Sequence, residues 1–273
     1  MSNPVTLLAS RRHTLRSEAI GETFQIDVAL PNAWTASSAG PLPVIYVMDA
    51  NTVFGIAAQA FRFLQNADGL PPALLVGVGY ELEGPSRRRS DYGGLRTRDL
   101  TPTFDADFHE QVAGRAASGV GPAGGADRFL DFLVEELRPF IAGLYEIDPH
   151  DQTLVGSSLG GLFCLHALFA RPGAFQRYVA NSPSLWWDER RTFAQEAAFA
   201  AAGRDLPGRL FLSVGGEETA EPWAMVRDLE RLADTLVGRG YPGLSLTRHV
   251  FEGETHTSVI PAALSRGLRT VFA

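Results

Sequence analysis

"QTLVGSSLGGLFCLHALFA" (152–170) runs from a short apolar strand pattern, through a cluster of small residues, into an apolar helix pattern. At its centre Gly156-Ser157-Ser158-Leu159-Gly160 matches G-x-S-x-G. A serine in that motif, between strand and helix, is the signature of a nucleophile elbow. The turn is sharp, so the residues two before and two after the serine must be small. The Ser158 hydroxyl is thereby lifted above the sheet, at the N-terminus of the next helix. There the helix dipole and the N–H of Leu159 can stabilise a developing oxyanion. The plainer alternative is a Gly/Ser-rich helix start with Ser157 or Ser158 as its N-cap.

On either side of the elbow, strand and helix patterns alternate. "TFQIDVALP" (23–31) reads as a half-buried strand, with "HTLRSEA" (13–19) as its hairpin partner. "PVIYVMDA" (43–50) and "ALLVGVGY" (73–80) are short, almost wholly apolar runs, as expected of strands buried on both faces. Helical spacing is found in "VFGIAAQAFRFLQNA", "ADRFLDFLVEELRPFIAGLY", "DERRTFAQEAAFAAAG", "AEPWAMVRDLERLADTLVGRG" and "SVIPAALSRGLRTVF". Further strands are "FQRYVANSP", "RLFLSVGG" and "LSLTRHVFEG". This order predicts an α/β fold in one domain over 1–273, with a mainly parallel central sheet and helices on both faces. Segment 81–124, polar and rich in Gly and Arg, is too long for an ordinary connection and is expected to be a lid or substrate-binding insertion.

The bulk composition excludes several roles. The net charge of −7 over 273 residues argues against general nucleic-acid binding. No stretch approaches the roughly 18 apolar residues of a membrane span, and "MSNPVTLLASRRHTLRSEA" lacks the apolar core of a signal peptide. The single cysteine, Cys164, allows no intrachain disulfide and no cysteine-rich metal site. A cytoplasmic protein needing no metal and no cofactor is expected.

A serine nucleophile needs a base and an acid, in the chain order Ser, Asp or Glu, His. Only His249 and His256 lie far enough downstream. His249 falls inside the last strand pattern, whereas His256, in "FEGETHTSV", lies in a turn-rich loop able to reach back over the elbow. His256 is therefore the expected base; His166, two helical turns after Ser158, is expected to pack against the sheet. The acid should follow the preceding strand, where "VGGEE" ends in Glu217 and Glu218. Such a carboxylate holds the imidazole in the right tautomer and stabilises its charged form. Glu218 is the first choice and Glu217 the alternate; Glu252 and Glu254 are weaker candidates. The second oxyanion donor should come from "MDANTVF", from the backbone N–H groups near Ala50 and Asn51, with Asp49 shaping the turn.

These residues resemble the esterase branch of the α/β-hydrolases that includes the enterobactin-type trilactone siderophore esterases. Relatives are esterase D, the feruloyl esterases and the antigen 85 mycolyltransferases. The landmarks are "PVIYVMDAN" (43–51), "RTRDLTPT" (96–103), "GGADRFLDFLVEELRPFI" (124–141), "GSSLGG" (156–161), "SPSLWW" (182–187), "VGGEE" (214–218) and "GETHTSV" (253–259). The resemblance implies an α/β-hydrolase fold, a Ser158–His256 pair with a supporting carboxylate, and hydrolysis of esters or lactones. "SPSLWW" and the Arg-Asp-Leu-Thr-Pro run are similar to the siderophore-esterase side. "EGPSRRRSDYGGL" (83–95) departs from the branch by its length.

Within the acidic chain, Arg87, Arg88, Arg89, Arg96 and Arg98 stand close together with one acid, Asp91, among them. Arginine suits planar carboxylates and delocalised anions. On the siderophore reading they would meet a polyanionic iron complex, with Trp186 and Trp187 packing on its rings. A solvated loop balancing nearby charge is the plainer expectation. The expected partner is thus a small ester or lactone, an iron–siderophore complex being the specific case. A general carboxylesterase or acyltransferase of the same fold is the alternative, and a non-catalytic ligand-binding protein on a hydrolase fold is the alternative from another class.

Overall fold

Apolar runs long enough for strands but too short for helices become the centre of one sheet. In the computed structural model, which describes residues 5–32, 40–67, 69–83, 87–112 and 121–273, eight strands form a sheet of order β1-β2-β4-β3-β5-β6-β7-β8. The strands are β1 (Ser10–Arg16), β2 (Thr23–Ala29), β3 (Leu42–Val47), β4 (Leu74–Tyr80), β5 (Ile147–Ser157), β6 (Arg177–Asn181), β7 (Gly208–Gly215) and β8 (Leu244–Phe251). β1 and β2 run antiparallel to their neighbours, and β4 through β8 are paired in parallel. The hairpin partner of β2 thus begins three residues earlier than its sequence pattern suggests.

Alternation along the central strands separates two cores. Val44 and Tyr46 face one, together with Phe129, Phe132, Leu162 and Leu229. Ile45 and Val47 face the other, with Phe54, Phe61, Leu264 and Leu268. The second core is covered by α1 (Ala50–Ala67) and α9 (Ile260–Phe272). The first is covered by the helical run α4 (Ala126–Asp131), a π-helical turn (Phe132–Leu137) and α5 (Arg138–Leu144), with α6 (Leu159–Ala170), α7 (Trp187–Ala201) and α8 (Met225–Arg239). Pro139, two residues past the end of the π turn, has no N–H and removes one rung from the helical ladder. Every residue of α6 from Leu159 to Phe169 is buried, which explains its apolar sequence all round. Among the described residues, no helix is long and apolar enough to cross a membrane.

Two features position the site. The chain leaves β3 for β4 on one side and enters β5 on the other, so strand order reverses between β3 and β5. In open α/β sheets ligands bind beyond the carboxyl ends of strands at such a switch point. Segment 81–124, which the sequence reads as one long polar connection, carries short helices: α2 (Tyr92–Leu100) and α3 (Ala106–Val112). Residues 84–86 and 113–120 of that segment lie outside the described residues. Leu95, Arg98, Asp99 and Leu100 of α2 are buried, so this part of the segment is packed on the body.

Candidate active site

Ser158 sits between β5 and α6 at φ 60°, ψ −121°, a conformation that L side chains rarely adopt. Three backbone bonds hold it there. Its N–H donates to Asn181 O at 3.0 Å, and its carbonyl accepts from Leu162 N (2.9 Å) and Ser184 N (3.2 Å). Small neighbours are a steric necessity. A Cβ added at Gly156 would lie 2.2 Å from Gly160 O. Leu159 opens α6, and the N–H of a first helical residue has no intrahelical acceptor.

His256 reaches the elbow from the loop between β8 and α9. Its Nδ1 lies 2.6 Å from Glu218 Oε2. The other oxygen of Glu218, Oε1, accepts from Gly215 N–H at 2.8 Å and Ser182 Oγ at 2.6 Å. Burial pushes the Glu218 carboxyl up, but the bonds from His256, Ser182 and Gly215 outweigh it and hold the carboxyl below its usual value. The loop carrying His256 crosses closely enough that a Cβ at Gly215 would lie 2.4 Å from Glu254 O. Glu217 is exposed, and its backbone N–H bonds Glu254 O at 3.0 Å. Glu252 is exposed and Glu254 takes the Ser258 hydroxyl. His249 stays in β8 beside Arg266, and His166 is buried between Asp127 and Gln195. Ser158 Oγ is 3.4 Å from Ser184 Oγ rather than bonded to the imidazole. Such catalytic bonds commonly close only with substrate in place.

Two cavities meet at Ser158. One, of about 380 Å³, is lined by His256, Glu218, Trp223 and Met225 among others. The second, of about 670 Å³, is lined by Leu159, by Arg96, Thr97 and Arg98 of α2, and by Phe108 of α3. Ser184 and Trp186 line both.

A family model described as "Putative esterase" matches residues 17–256. The chain belongs to this esterase family. It is 33% identical over 274 residues to the ferri-bacillibactin esterase BesA of Bacillus subtilis, covering 98% of this chain and 91% of that one. It is also 33% identical to the siderophore triacetylfusarinine C esterase of Aspergillus fumigatus, over 98% and 95% of the two chains. Among solved structures, the BES protein from Bacillus cereus superposes with a TM-score of 0.81 at 32% identity, over 99% of this chain and 97% of that one.

Most of the clustered arginines in the esterase are paired with carboxylates. Arg96 lies on Asp49, Arg98 on Asp99 and Glu22, and Arg87 on Glu22. These guanidinium groups are matched to carboxylates and tie the insertion to the body, while Arg96 and Arg98 also line the larger cavity at Ser158. Glu22 is held below the usual carboxylate range: burial raises it, and Arg87 and Arg98 more than offset that. Arg88 and Arg89 are exposed, with Arg89 on Glu83 at the surface; neither lines a cavity at Ser158. Trp187 is a core residue, 1% exposed, donating Nε1–H to Thr103 O at 3.1 Å, so only Trp186 of the pair faces the cavities. The left-handed turn Asp188–Arg190 follows directly.

Ala50 and Asn51, whose backbone N–H groups are the expected second oxyanion donors, follow closely on β3. They open α1, and the Asn51 amide bridges both backbone groups of Tyr80, at 2.7 and 2.9 Å. Neither lines the cavities at Ser158. Asp49 does shape that turn, at φ 59°. Sequence reasoning missed Ser182 and Ser184, both buried in the turn after β6. The only signal available was their place at the end of a central strand, within "NSPS".

Proposed function

We propose that this esterase cleaves the ester bonds of trilactone siderophores through an acyl-enzyme on Ser158. The observation that carries the reading is the 2.6 Å contact of His256 Nδ1 with Glu218 Oε2, in a cavity that also opens on Ser158. With Nδ1–H held by Glu218, Nε2 is the free base. It takes the Ser158 proton as Oγ attacks the ester carbonyl, and the N–H of Leu159 receives the oxyanion. Nε2 then returns the proton to the departing alkoxide, and water repeats the cycle on the acyl-enzyme.

The substrate class is supported by the siderophore esterases among the relatives and by the room at Ser158. The combined cavities suit a ligand larger than a simple acetate ester. In this reading the insertion 81–124 walls the substrate site within a single domain, the iron of a ferric complex is cargo, and the enzyme works in the cytoplasm. The test is turnover of trilactone siderophores, iron-free and iron-loaded, beside p-nitrophenyl esters. Ser158→Ala should lower kcat by about 10³-fold or more on every substrate. Trilactones turned over no faster than p-nitrophenyl acetate would remove the siderophore assignment and leave a general carboxylesterase.

A further inference from the structure

Ser158 lies on the seam of two cavities with different walls. Leu159 lines only the larger, and His256 and Glu218 line only the smaller. The geometry of acyl transfer makes that difference informative. When Ser158 Oγ adds to an ester carbonyl, the carbon carries three other substituents: the oxyanion, the alkoxy oxygen and the acyl chain. The oxyanion belongs at the Leu159 N–H. The alkoxy oxygen must face His256, because the proton taken from Ser158 goes to that oxygen as its bond to carbon breaks. The acyl chain takes the remaining direction, away from His256.

Resting on the serine-esterase reading above, we propose that the cavities divide the substrate at its scissile bond. The smaller cavity receives the alcohol half and the larger one receives the acyl half. Beyond its catalytic groups, the alcohol cavity is walled by Trp223, Met225, Ala220 and Trp186. Trp223 is 51% exposed, so its ring is available to a ligand at the rim. These walls suit an apolar or aromatic alcohol half. The acyl cavity runs under α2 and mixes Phe108, Pro122 and Trp186 with Thr97, Asp105 and His109. It is the roomier and more polar of the two, and suits the larger, hydrogen-bonding remainder of a substrate. Trp186 stands at the seam, with its ring centroid 5.9 Å from that of Phe108. In a macrocyclic lactone both halves of the scissile ester continue into the ring, so the ring straddles Ser158 with one flank in each cavity.

Two ester series separate the halves: acetates of alcohols of increasing apolar size, and p-nitrophenyl esters of increasing acyl length. Trp223→Ala should lower kcat/KM about 10-fold for the bulky alcohols. In stopped-flow bursts that loss should be confined to acylation, since the alcohol has left before deacylation begins. Gly93→Phe tests the other cavity. A Cβ there meets open space, so the added ring can occupy the acyl side without displacing backbone. It should lower kcat/KM for long acyl chains by a similar factor, whatever the alcohol. If Trp223→Ala instead alters the acyl series, or if both variants alter both series equally, the division is wrong. Loss of turnover in Ser158→Ala, measured in parallel, keeps that outcome distinct from failure of the serine-esterase reading itself.

Discussion

Arg96 lays two N–H groups on the carboxylate of Asp49, Nε on Oδ1 at 2.8 Å and Nη2 on Oδ2 at 2.7 Å. Tyr92 adds its hydroxyl to Oδ1 at 2.8 Å. Both donors come from α2, and Asp49 sits at φ 59° in the turn after β3. The ion pair therefore latches the insertion to that turn. Its carboxylate lies beside the first turn of α6, where a Cβ on Gly160 would be 3.3 Å from Oδ2.

Arg96→Ala would leave the Asp49 carboxylate, 9% exposed, without its cation. Breaking a buried pair from one side costs about 3 kcal/mol or more. Urea unfolding should show that loss, and Asp49→Asn combined with Arg96→Ala should recover part of it. An Arg96→Ala protein as stable as wild type would mean that the pair contributes nothing net.

The two neighbouring glutamates should separate cleanly in kinetics. Glu218 bonds His256, Ser182 and Gly215, whereas the Glu217 side chain is exposed at the cavity. Glu218→Gln should lower kcat by about 10³-fold or more, as losing the carboxylate of a triad does. Glu217→Gln should change it less than about threefold, the equivalent of about 0.65 kcal/mol. Equal losses in the two variants would refute the assignment of roles.

Acid stability follows from the same bonds. Glu218 and Glu22 titrate below their ordinary value of 4.5 in the folded protein. A carboxyl whose folded pKa is depressed stabilises the fold fully above its unfolded value, and that contribution is lost as pH falls through the folded value. The free energy of unfolding should thus decline on acidification below pH 4.5. Glu22→Gln should be less stable at pH 7 and show a flatter decline, read from urea unfolding across that range. An unchanged slope in that variant would show that Glu22 is not among the groups responsible.

The elbow was readable because its rules are local: the strand, the small residues and the helix all lie within 152–170. The sheet was readable for a similar reason, since strands buried on both faces carry unbroken apolar runs. What escaped depends on partners distant in sequence. Nothing near Arg96 shows that Asp49, 47 residues earlier, will take its charge, and Arg98 meets Glu22 across 76 positions. Trp186 and Trp187 are adjacent letters, yet a single step of backbone sends one ring to the cavities and the other into the core. The side-chain amide of Asn51 is likewise committed to Tyr80, 29 positions on, by a bridge that exists only once β4 is in place.

Ser182 is the remaining handle on the acid. It sits at φ 41°, with its N–H on Ser213 O at 2.6 Å, so its hydroxyl is carried by a turn fixed to β7. That hydroxyl and Gly215 N–H share Glu218 Oε1, while Oε2 is left for His256. Ser182→Ala would leave Oε1 with one donor and let the carboxylate rotate away from the imidazole. A hydrogen bond to a charged group contributes about 1.5–3 kcal/mol, so kcat should fall roughly 10- to 100-fold. KM should stay near wild type, because Ser182 lines neither cavity at Ser158. Ser182→Thr keeps the hydroxyl and should restore most of the rate if its extra methyl is accommodated. A purely structural role would instead lower stability in both variants and spare kcat in the folded fraction. Full kcat in a folded Ser182→Ala enzyme would show that Gly215 N–H alone is enough to aim Glu218.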